Sequence, residues 1–169
     1  LGYPFDTLLR LFEAVPGIVA IKDWSNDPAL HERQVRTFQS LDRPVSVLST
    51  HSAWLLGSLA TGCRGLLSGA GSVIADLQVA MFRAVQAGDL PAARRINDRM
   101  LPMTQAFYAP PFLDMHNRMK EALALLGRLG PAHVRPPLMK LPEAEIARLR
   151  AAIRTAGLSA EGAFQQAAE

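Results

Sequence analysis

Three short apolar runs alternate with helical segments along the first part of the chain. The runs are GIVAI at 17–21, PVSVL at 44–48 and RGLL at 64–67, and turn residues bound each of them. None alternates cleanly with polar residues, which is typical of strands buried on both faces of a parallel sheet. Helical segments lie between them, roughly at 28–40 and 52–61. This alternation predicts consecutive βα units.

An amphipathic helix precedes the first run. Asp6 can cap it, and Pro16-Gly17 ends it. After Ser72 the pattern is helical only, with Asp114 and Arg118 at the i,i+4 spacing of a helical ion pair. The predicted later helices cover 72–89, 90–108, 114–130 and 142–157, and a short last helix follows them.

The order of the elements limits the architecture. Three parallel strands cannot close a barrel, and a complete eight-stranded (β/α) barrel needs about 250 residues. We therefore expect an α/β chain that is the C-terminal part of a (β/α)8 TIM barrel, with its last three parallel strands followed by a C-terminal helical extension. The βα units are expected at 1–88 and the extension at 89–169. A start at Leu1, close to an amphipathic helix, agrees with a chain entered midway.

Composition excludes several classes of protein. Apolar residues make up 49% of the chain, charged residues 20%, and the net charge is +3, as in ordinary globular domains. The arginines are scattered among acids and apolar positions, so we expect no nucleic-acid partner. No apolar run has the length of a membrane span. Cys63 is the single cysteine, which excludes an internal disulfide and suits a reducing cytoplasm.

Lys22 is the first candidate for chemistry, because it follows the apolar run in GIVAIKDWSND. Barrel enzymes keep their active sites at the carboxyl ends of the strands. A lysine desolvated there has a lowered pKa and can attack a ketone to form a Schiff base. The alternative is a snorkelling lysine paired with Asp23. VAIK also occurs on the lysine strand of protein kinases, but no His-Arg-Asp or Asp-Phe-Gly follows, so that interpretation is excluded.

Further segments carry a resemblance over nearly the whole chain. After GIVAIKDWSND these are SVLSTHSAWLLGSLATGCRGLLSGAGSVIADL, AVQAGDLPAARRINDRMLP, MKEALALLG and VRPPL. In this order and at these spacings the chain closely resembles the C-terminal half of the dihydrodipicolinate synthase / N-acetylneuraminate lyase family. These proteins are class I aldolases and related lyases built on (β/α) barrels.

The resemblance implies a role for each matching residue. Lys22 would be the Schiff-base lysine that attacks C2 of a 2-oxo acid, usually pyruvate. Leu67 would pack beside the substrate methyl or methylene, and Ser68 and Gly69 would supply backbone at the same rim. Lys120 and Arg135 would join the helical tail to the barrel. No cofactor is implied, and a homo-oligomer, a tetramer or a dimer, is expected.

Two essentials of that family lie upstream of the matching segments. They are a carboxylate-binding Gly-Thr/Ser-Thr/Ser turn and a proton-relaying tyrosine. Tyr3 precedes the first helix and Tyr108 belongs to the helical extension, so neither is placed to substitute for the relay.

The second strand departs from the family pattern. Many members carry a glycine followed by an acid there, whereas this chain has Thr50, His51 and Ser52. Thr50 and His51 are therefore candidate substrate-binding residues, and His51 could hydrogen-bond or protonate the distal part of a sugar acid, aldehyde or aromatic partner. The alternative is a helix N-terminus with Ser52 as its cap. The departure argues against assuming the lysine-biosynthetic reaction.

Other polar residues have simpler interpretations. Trp24 either walls the pocket or packs beneath its rim, and Asn26 and Asp27 are expected to cap the next helix. Gly69 and Gly71 favour a tight turn over a dinucleotide site. The remaining candidates form no metal site, because no ligand spacing links them and Cys63 has no identifiable histidine partner. They are the isolated histidines His31, His116 and His133.

Two functions from different classes remain open. One is a Schiff-base-forming lyase or aldolase acting on a 2-oxo acid. The other is a catalytically silent family member, or a half-barrel, that serves ligand binding or assembly. A tyrosine and a Gly-Thr/Ser-Thr/Ser turn in the sequence upstream would favour the enzyme.

Overall fold

The computed structural model describes residues 2–50 and 52–159. Three strands and seven α-helices are found within these ranges, together with two short 3-10 turns at Ser52–Trp54 and Phe112–Asp114. The strands are β1 (Ala20–Asp23), β2 (Ser46–Ser49) and β3 (Gly65–Leu66). The helices are α1 (Phe5–Ala14), α2 (Pro28–Phe38), α3 (Leu55–Ala60), α4 (Gly71–Gln86), α5 (Leu90–Phe107), α6 (Met115–Leu125) and α7 (Glu143–Ala156).

All three predicted strands form one parallel sheet in the order β1-β2-β3. The register pairs Lys22 with Leu48, and Leu48 with Gly65. α2 and α3 connect the strands, as the alternation of apolar runs and helical segments predicted. The predicted βα units are confirmed, with β1 reaching Asp23 instead of ending at Ile21.

The expectation that the strands are buried on both faces was wrong for the described residues. Val47 and Ser49 of β2 are fully buried, whereas Ser46 and Leu48 between them are only half-buried. In β1 only Asp23 is buried. The buried face packs against helices, and the other face lacks the cover that opposite strands of a closed barrel provide. A parallel sheet therefore shows the alternating burial that is usual for sheets with one open side.

Local contacts explain the ends of the first helices. α1 begins at Phe5, so Asp6 lies in its first turn and is not its cap, which corrects the predicted start. Arg43 donates to the carbonyl oxygens of Phe12 and Ile18 and so holds the chain where α1 gives way to β1. Asp27 accepts from the Leu30 amide at 3.0 Å, which confirms it as the cap of α2.

The later helices form a second compact unit. Of the described residues, those up to Ser68 belong to the first unit and those from Gly69 onward to the second. The predicted domain division at 88/89 stays a prediction. Within the second unit α5 packs against α4 and α7. Its core is rich in methionine and aliphatic side chains; the largest of its fully buried apolar side chains are Ile74, Met81, Met100, Met103, Phe107 and Leu149.

Glycines end two helices of the second unit. Gly88 after α4 and Gly157 after α7 both have a left-handed backbone, with φ of 71° and 65°. The short last helix that the sequence predicts lies outside the described residues. Within the described ranges, no helix combines the length and the apolar character needed to span a bilayer.

Arg118 is the most deeply buried charge of the second unit. Its side chain is 1% exposed, and its Nε donates to the Glu145 carboxylate of α7 at 2.6 Å. The guanidinium also donates to the carbonyls of residues 107 and 109–111. The predicted partner, Asp114, was therefore wrong, because a buried guanidinium takes the site that satisfies all of its donors.

Candidate functional site

The parallel register places Lys22 at the carboxyl edge of the sheet. Lys22 is the third residue of β1 and lies in line with Leu48 of β2 and Gly65 of β3. Residues paired in this way project from the same face of a sheet, and their neighbours project from the opposite face. Lys22 and Asp23 therefore leave β1 in opposite directions.

Two further candidate residues lie at the same edge. The Thr50 amide donates to the Asp23 carbonyl at 3.3 Å, and the Leu67 amide donates to the Ser49 carbonyl at 2.8 Å. Both bonds extend the ladder past the ends of β2 and β3. The sheet thus brings Lys22, Thr50 and Leu67 to one edge, with Thr50 buried and Leu67 55% exposed.

Lys22 is exposed, which corrects the expectation of a desolvated amine. Its Nζ lies 5.6 Å from the ring centroid of Trp24, which is itself partly exposed. The physical reason is that the face of β1 that carries Lys22 is uncovered, and that only β2 pairs with β1 among the described strands. The Trp24 ring, two residues after Lys22, lies within cation–π distance of the Lys22 ammonium group.

A cavity of about 430 Å³ lies beside β1. Lys22 and Tyr3 both line it, although the sequence offered no role for Tyr3. Gln34 lines it too, and the Oε1 of Gln34 is buried without a hydrogen-bond partner in the part of the chain that the structure describes. The rest of the lining is mostly apolar and comes from α1, β1, α2 and the segments next to them.

Ser68 and Gly69 follow β3 as predicted. Ser68 is half-buried. The Gly69 carbonyl accepts from the amide of Ser72 at 3.1 Å and from its hydroxyl at 2.8 Å. This turn opens α4, which confirms the tight-turn interpretation of Gly69 and Gly71. His116 also approaches the turn, since a Cβ built on Gly69 would lie 3.7 Å from its Nε2.

Other candidates have separate outcomes. His51 lies outside the described residues. Lys120 donates to the His133 carbonyl, so this contact stays within the helical unit. Among residues 2–50 and 52–159 no three histidine, cysteine or acidic side chains converge as metal ligands would.

A buried chain of polar side chains lies directly behind Lys22. His31 Nδ1 of α2 is 2.6 Å from Asp23 Oδ2, and His31 Nε2 is 2.7 Å from Ser58 Oγ of α3. Ser58 Oγ donates to Cys63 Sγ at 3.2 Å, and Cys63 Sγ donates to the Gly65 carbonyl at 3.4 Å. We call Asp23, His31, Ser58 and Cys63 the buried relay.

The relay corrects two sequence interpretations. His31 is not isolated, and hydrogen bonds of Ser58 link Cys63 to His31. Sequence reasoning missed the cluster because its members come from β1, α2, α3 and the turn before β3, and share no spacing. The one signal available was an apolar-face histidine within α2, eight positions after the acid that follows Lys22.

Charge stabilises the protonated form of His31. Burial alone lowers the pKa of its imidazole, but the Asp23 carboxylate and the Cys63 sulfur outweigh burial and raise the pKa to about 9. Burial likewise raises the pKa of the Cys63 thiol, and hydrogen bonds from His31 and Ser58 outweigh it and lower the pKa below its ordinary value. At neutral pH both imidazole nitrogens of His31 therefore donate, to Asp23 and to Ser58.

The order acid, histidine, serine is also that of a hydrolase triad. Ser58 and His31 are both 0% exposed, however, so no substrate reaches the hydroxyl in this arrangement. A nucleophile needs room for an acyl group and donors for the oxyanion. The relay is therefore a structural hydrogen-bond network and not a second catalytic centre.

The chain is similar to 4-hydroxy-tetrahydrodipicolinate synthases over about half of their length. The 4-hydroxy-tetrahydrodipicolinate synthase of Neisseria gonorrhoeae is 32% identical over 152 residues, which are 90% of this chain and 50% of that protein. The protein of the same name from Methanoculleus marisnigri is 35% identical over 136 residues, or 80% of this chain and 44% of that protein. The chain thus spans about half the length of these relatives.

Solved structures agree on the fold. A monomeric dihydrodipicolinate synthase variant superposes with a TM-score of 0.82 at 22% identity, over 90% of this chain and 50% of that one. A prophage protein of E. coli K12, of the dihydrodipicolinic acid synthase family and solved with pyruvate, gives 0.78 at 26% identity, over 88% and 49%. The fold is the C-terminal part of a TIM barrel followed by helices.

The match to the family extends through both units. Residues 3–156, from the turn before α1 to the end of α7, match the sequence model of the Dihydrodipicolinate synthetase family. That stretch includes Lys22 and all of the candidate residues named above. The chain therefore belongs to the dihydrodipicolinate synthetase family.

Proposed function

We propose that this chain is part of a Schiff-base-forming lyase or aldolase that acts on a 2-oxo acid of the pyruvate type. The observation that carries the proposal is the position of Lys22 at the carboxyl edge of a parallel sheet, beside Thr50 and Leu67. Barrel enzymes hold their reacting groups at this edge. Family membership and the pyruvate complex of the E. coli K12 relative support the substrate class.

The chemistry needs one amine and one ketone. The neutral Nζ of Lys22 attacks C2 of the 2-oxo acid, the carbinolamine loses water, and an iminium remains. The iminium withdraws electrons from the adjacent carbon, which makes loss of a proton or cleavage of a carbon–carbon bond easier. Condensation, retro-aldol cleavage and dehydration share this intermediate, so the proposal covers all three.

Neighbouring residues suit a small 2-oxo acid. The exposed side chain of Leu67 offers an apolar contact for the substrate methyl, and the backbone of Ser68 and Gly69 borders it along the chain. The hydrogen bond from the Thr50 amide to the Asp23 carbonyl holds Thr50 at the same edge, and we assign Thr50 to substrate binding there. We assign His51 to the distal part of the second substrate.

An acid–base group and a carboxylate anchor complete such a mechanism. We propose that both come from residues other than those of the buried relay, because the relay is closed to solvent. The proposed partners are the 2-oxo acid and further copies of the chain in a homo-oligomer, in a cytoplasmic setting.

Borohydride trapping with pyruvate tests the proposal. The iminium is reduced to a stable secondary amine, and peptide mass mapping assigns the added mass among the chain's three lysines, Lys22, Lys120 and Lys140. We expect the label on Lys22, in this chain or in the longest form of the protein that contains it. Lys22→Arg should abolish labelling while the circular dichroism spectrum stays unchanged.

Lys120→Arg is the matched control, because it removes an amine from the helical unit and should leave the label in place. A label that survives Lys22→Arg would disprove the assignment. Absence of any label in both forms would favour the silent-barrel alternative.

A further inference from the structure

Asp23, the residue that follows the proposed nucleophile, is bonded to the interior of the first unit. Its carboxylate accepts from the Ser25 amide at 2.8 Å and lies 2.6 Å from His31 Nδ1. Its carbonyl accepts from the Thr50 amide at 3.3 Å. Both the side chain and the backbone of Asp23 are therefore held, by α2 on one side and by the chain after β2 on the other.

His31 is in turn held from its other side. Its Nε2 lies 2.7 Å from Ser58 Oγ of α3, and its ring meets the Trp54 ring edge-on at 5.6 Å. Ser58 continues through Cys63 to the Gly65 carbonyl of β3. The imidazole thus ties β1 to two helices and to the far strand of the sheet.

A contribution to stability is a weak explanation for the buried pair of Asp23 and His31. Replacing a buried ion pair with well-packed apolar side chains is often neutral or stabilising, because desolvation offsets the attraction. Hydrogen bonds to both imidazole nitrogens do, however, set the direction of the carboxylate and hence of the strand end. A reacting amine gains from this, since misplacing a group by about 1 Å can cost on the order of a hundredfold in rate.

We propose that His31 is a positioning residue for Lys22. It acts through Asp23, because it holds the Asp23 carboxylate beneath the carboxyl end of β1. The inference rests on the proposed Schiff-base role of Lys22. Lys22 and Asp23 leave the strand on opposite faces, so a fixed Asp23 side chain sets the backbone from which the Lys22 side chain departs.

Three variants of the longest form of the protein test this. His31→Leu removes both imidazole contacts. His31→Asn keeps an amide nitrogen close to the place of Nδ1 and so keeps the donor to Asp23. Val35→Ala, at another buried position of the same helix, truncates a side chain that makes no hydrogen bond, so it destabilises the unit and removes none of the relay's hydrogen bonds. The readouts are the first-order rate constant of pyruvate trapping at saturation and the half-saturating pyruvate concentration.

We expect His31→Leu to lower the saturating rate constant by about tenfold to a hundredfold and to change half-saturation little. His31→Asn should recover most of the rate. Val35→Ala should lower the melting temperature and the labelled fraction but leave the rate constant unchanged, because a loss of folded protein changes amplitude and not rate. A wild-type rate constant in His31→Leu, or an equal fall in Val35→Ala, would overturn the inference.

A second probe separates this inference from the proposed function. Formaldehyde and cyanoborohydride methylate lysines without pyruvate, and peptide mapping gives the rate at Lys22 relative to Lys120. We expect this ratio to change at least about threefold in His31→Leu and to return in His31→Asn. An unchanged ratio refutes positioning. A changed ratio, with no pyruvate trapping in the wild type, refutes the proposed function and retains positioning.

Discussion

Lys22 and Asp23 are adjacent in sequence but differ in the sign of their charge, in their exposure and in the residues that they contact. Lys22 is exposed beside Trp24, whereas Asp23 is buried and bonded to Ser25 and His31. In a strand, two consecutive side chains lie on opposite faces. Neighbouring residues of β1 can therefore supply the reacting amine, Lys22, and the carboxylate that fixes the strand end, Asp23. The sequence predicted Lys22 as the reacting group and offered Asp23 only as an ion-pair partner of Lys22.

The charge of His31 gives a prediction at this scale. Its pKa is raised from 6.5 to about 9 in the folded protein. The folded state therefore binds this proton more tightly than the unfolded state, so the stabilisation is complete below about pH 6.5 and is lost as the pH rises through about 9. A difference of this size corresponds to roughly 3 kcal/mol in the free energy of unfolding.

Urea unfolding across this pH range measures the effect. The lowered pKa of Cys63 acts in the opposite direction, because the folded state favours its thiolate. His31→Asn has no titrating imidazole and should show a flatter profile. An equally steep profile in His31→Asn would assign the pH dependence to other groups.

At the scale of elements, strands and helices followed the local pattern closely. Apolar runs became β1, β2 and β3, and Gly88 and Gly157 ended helices as their left-handed backbones require. The errors concerned partners across elements. Arg118 was matched with Asp114 of the neighbouring turn, but the structure pairs it with Glu145 of α7.

Arg118 gives a prediction for the packing of α6 on α7. Arg118→Leu should lower the free energy of unfolding by about 3–5 kcal/mol, because it leaves the Glu145 carboxylate and several backbone carbonyls without their donor. Arg150→Leu is the control, since Arg150 and Glu143 form an exposed pair worth at most about 1 kcal/mol. Equal losses in urea unfolding would show that the buried guanidinium adds nothing beyond a surface pair.

At the scale of the whole molecule, the sheet is open at β1. Among the described strands β1 pairs with β2 alone, and Val19 beside it is 66% exposed. The Oε1 of Gln34 is buried there without a hydrogen-bond partner among the described residues, which is uncommon in folded proteins. A free strand edge next to an unsatisfied buried acceptor is a place where further chain fits.

We therefore expect a longer form of the protein to protect this edge. Hydrogen exchange of the amides in 18–23 should be slower in the longest form than in this chain, whereas the amides of α5 should differ little between the two. Equal exchange at 18–23 in both forms would mean that the edge of β1 stays open in the whole protein.

The sequence by itself determined the order and type of the elements, the family, and Lys22 as the candidate nucleophile. These features depend on the periodicity and chemistry of neighbouring residues, and local physics suffices for them. The tertiary structure decided that Lys22 is exposed on the open face and that His31 holds Asp23. It also selected Ser58 as the partner of His31 and Glu145 as that of Arg118, each 27 positions away. No local pattern specifies such partners, because only the packing of separate elements brings their side chains together.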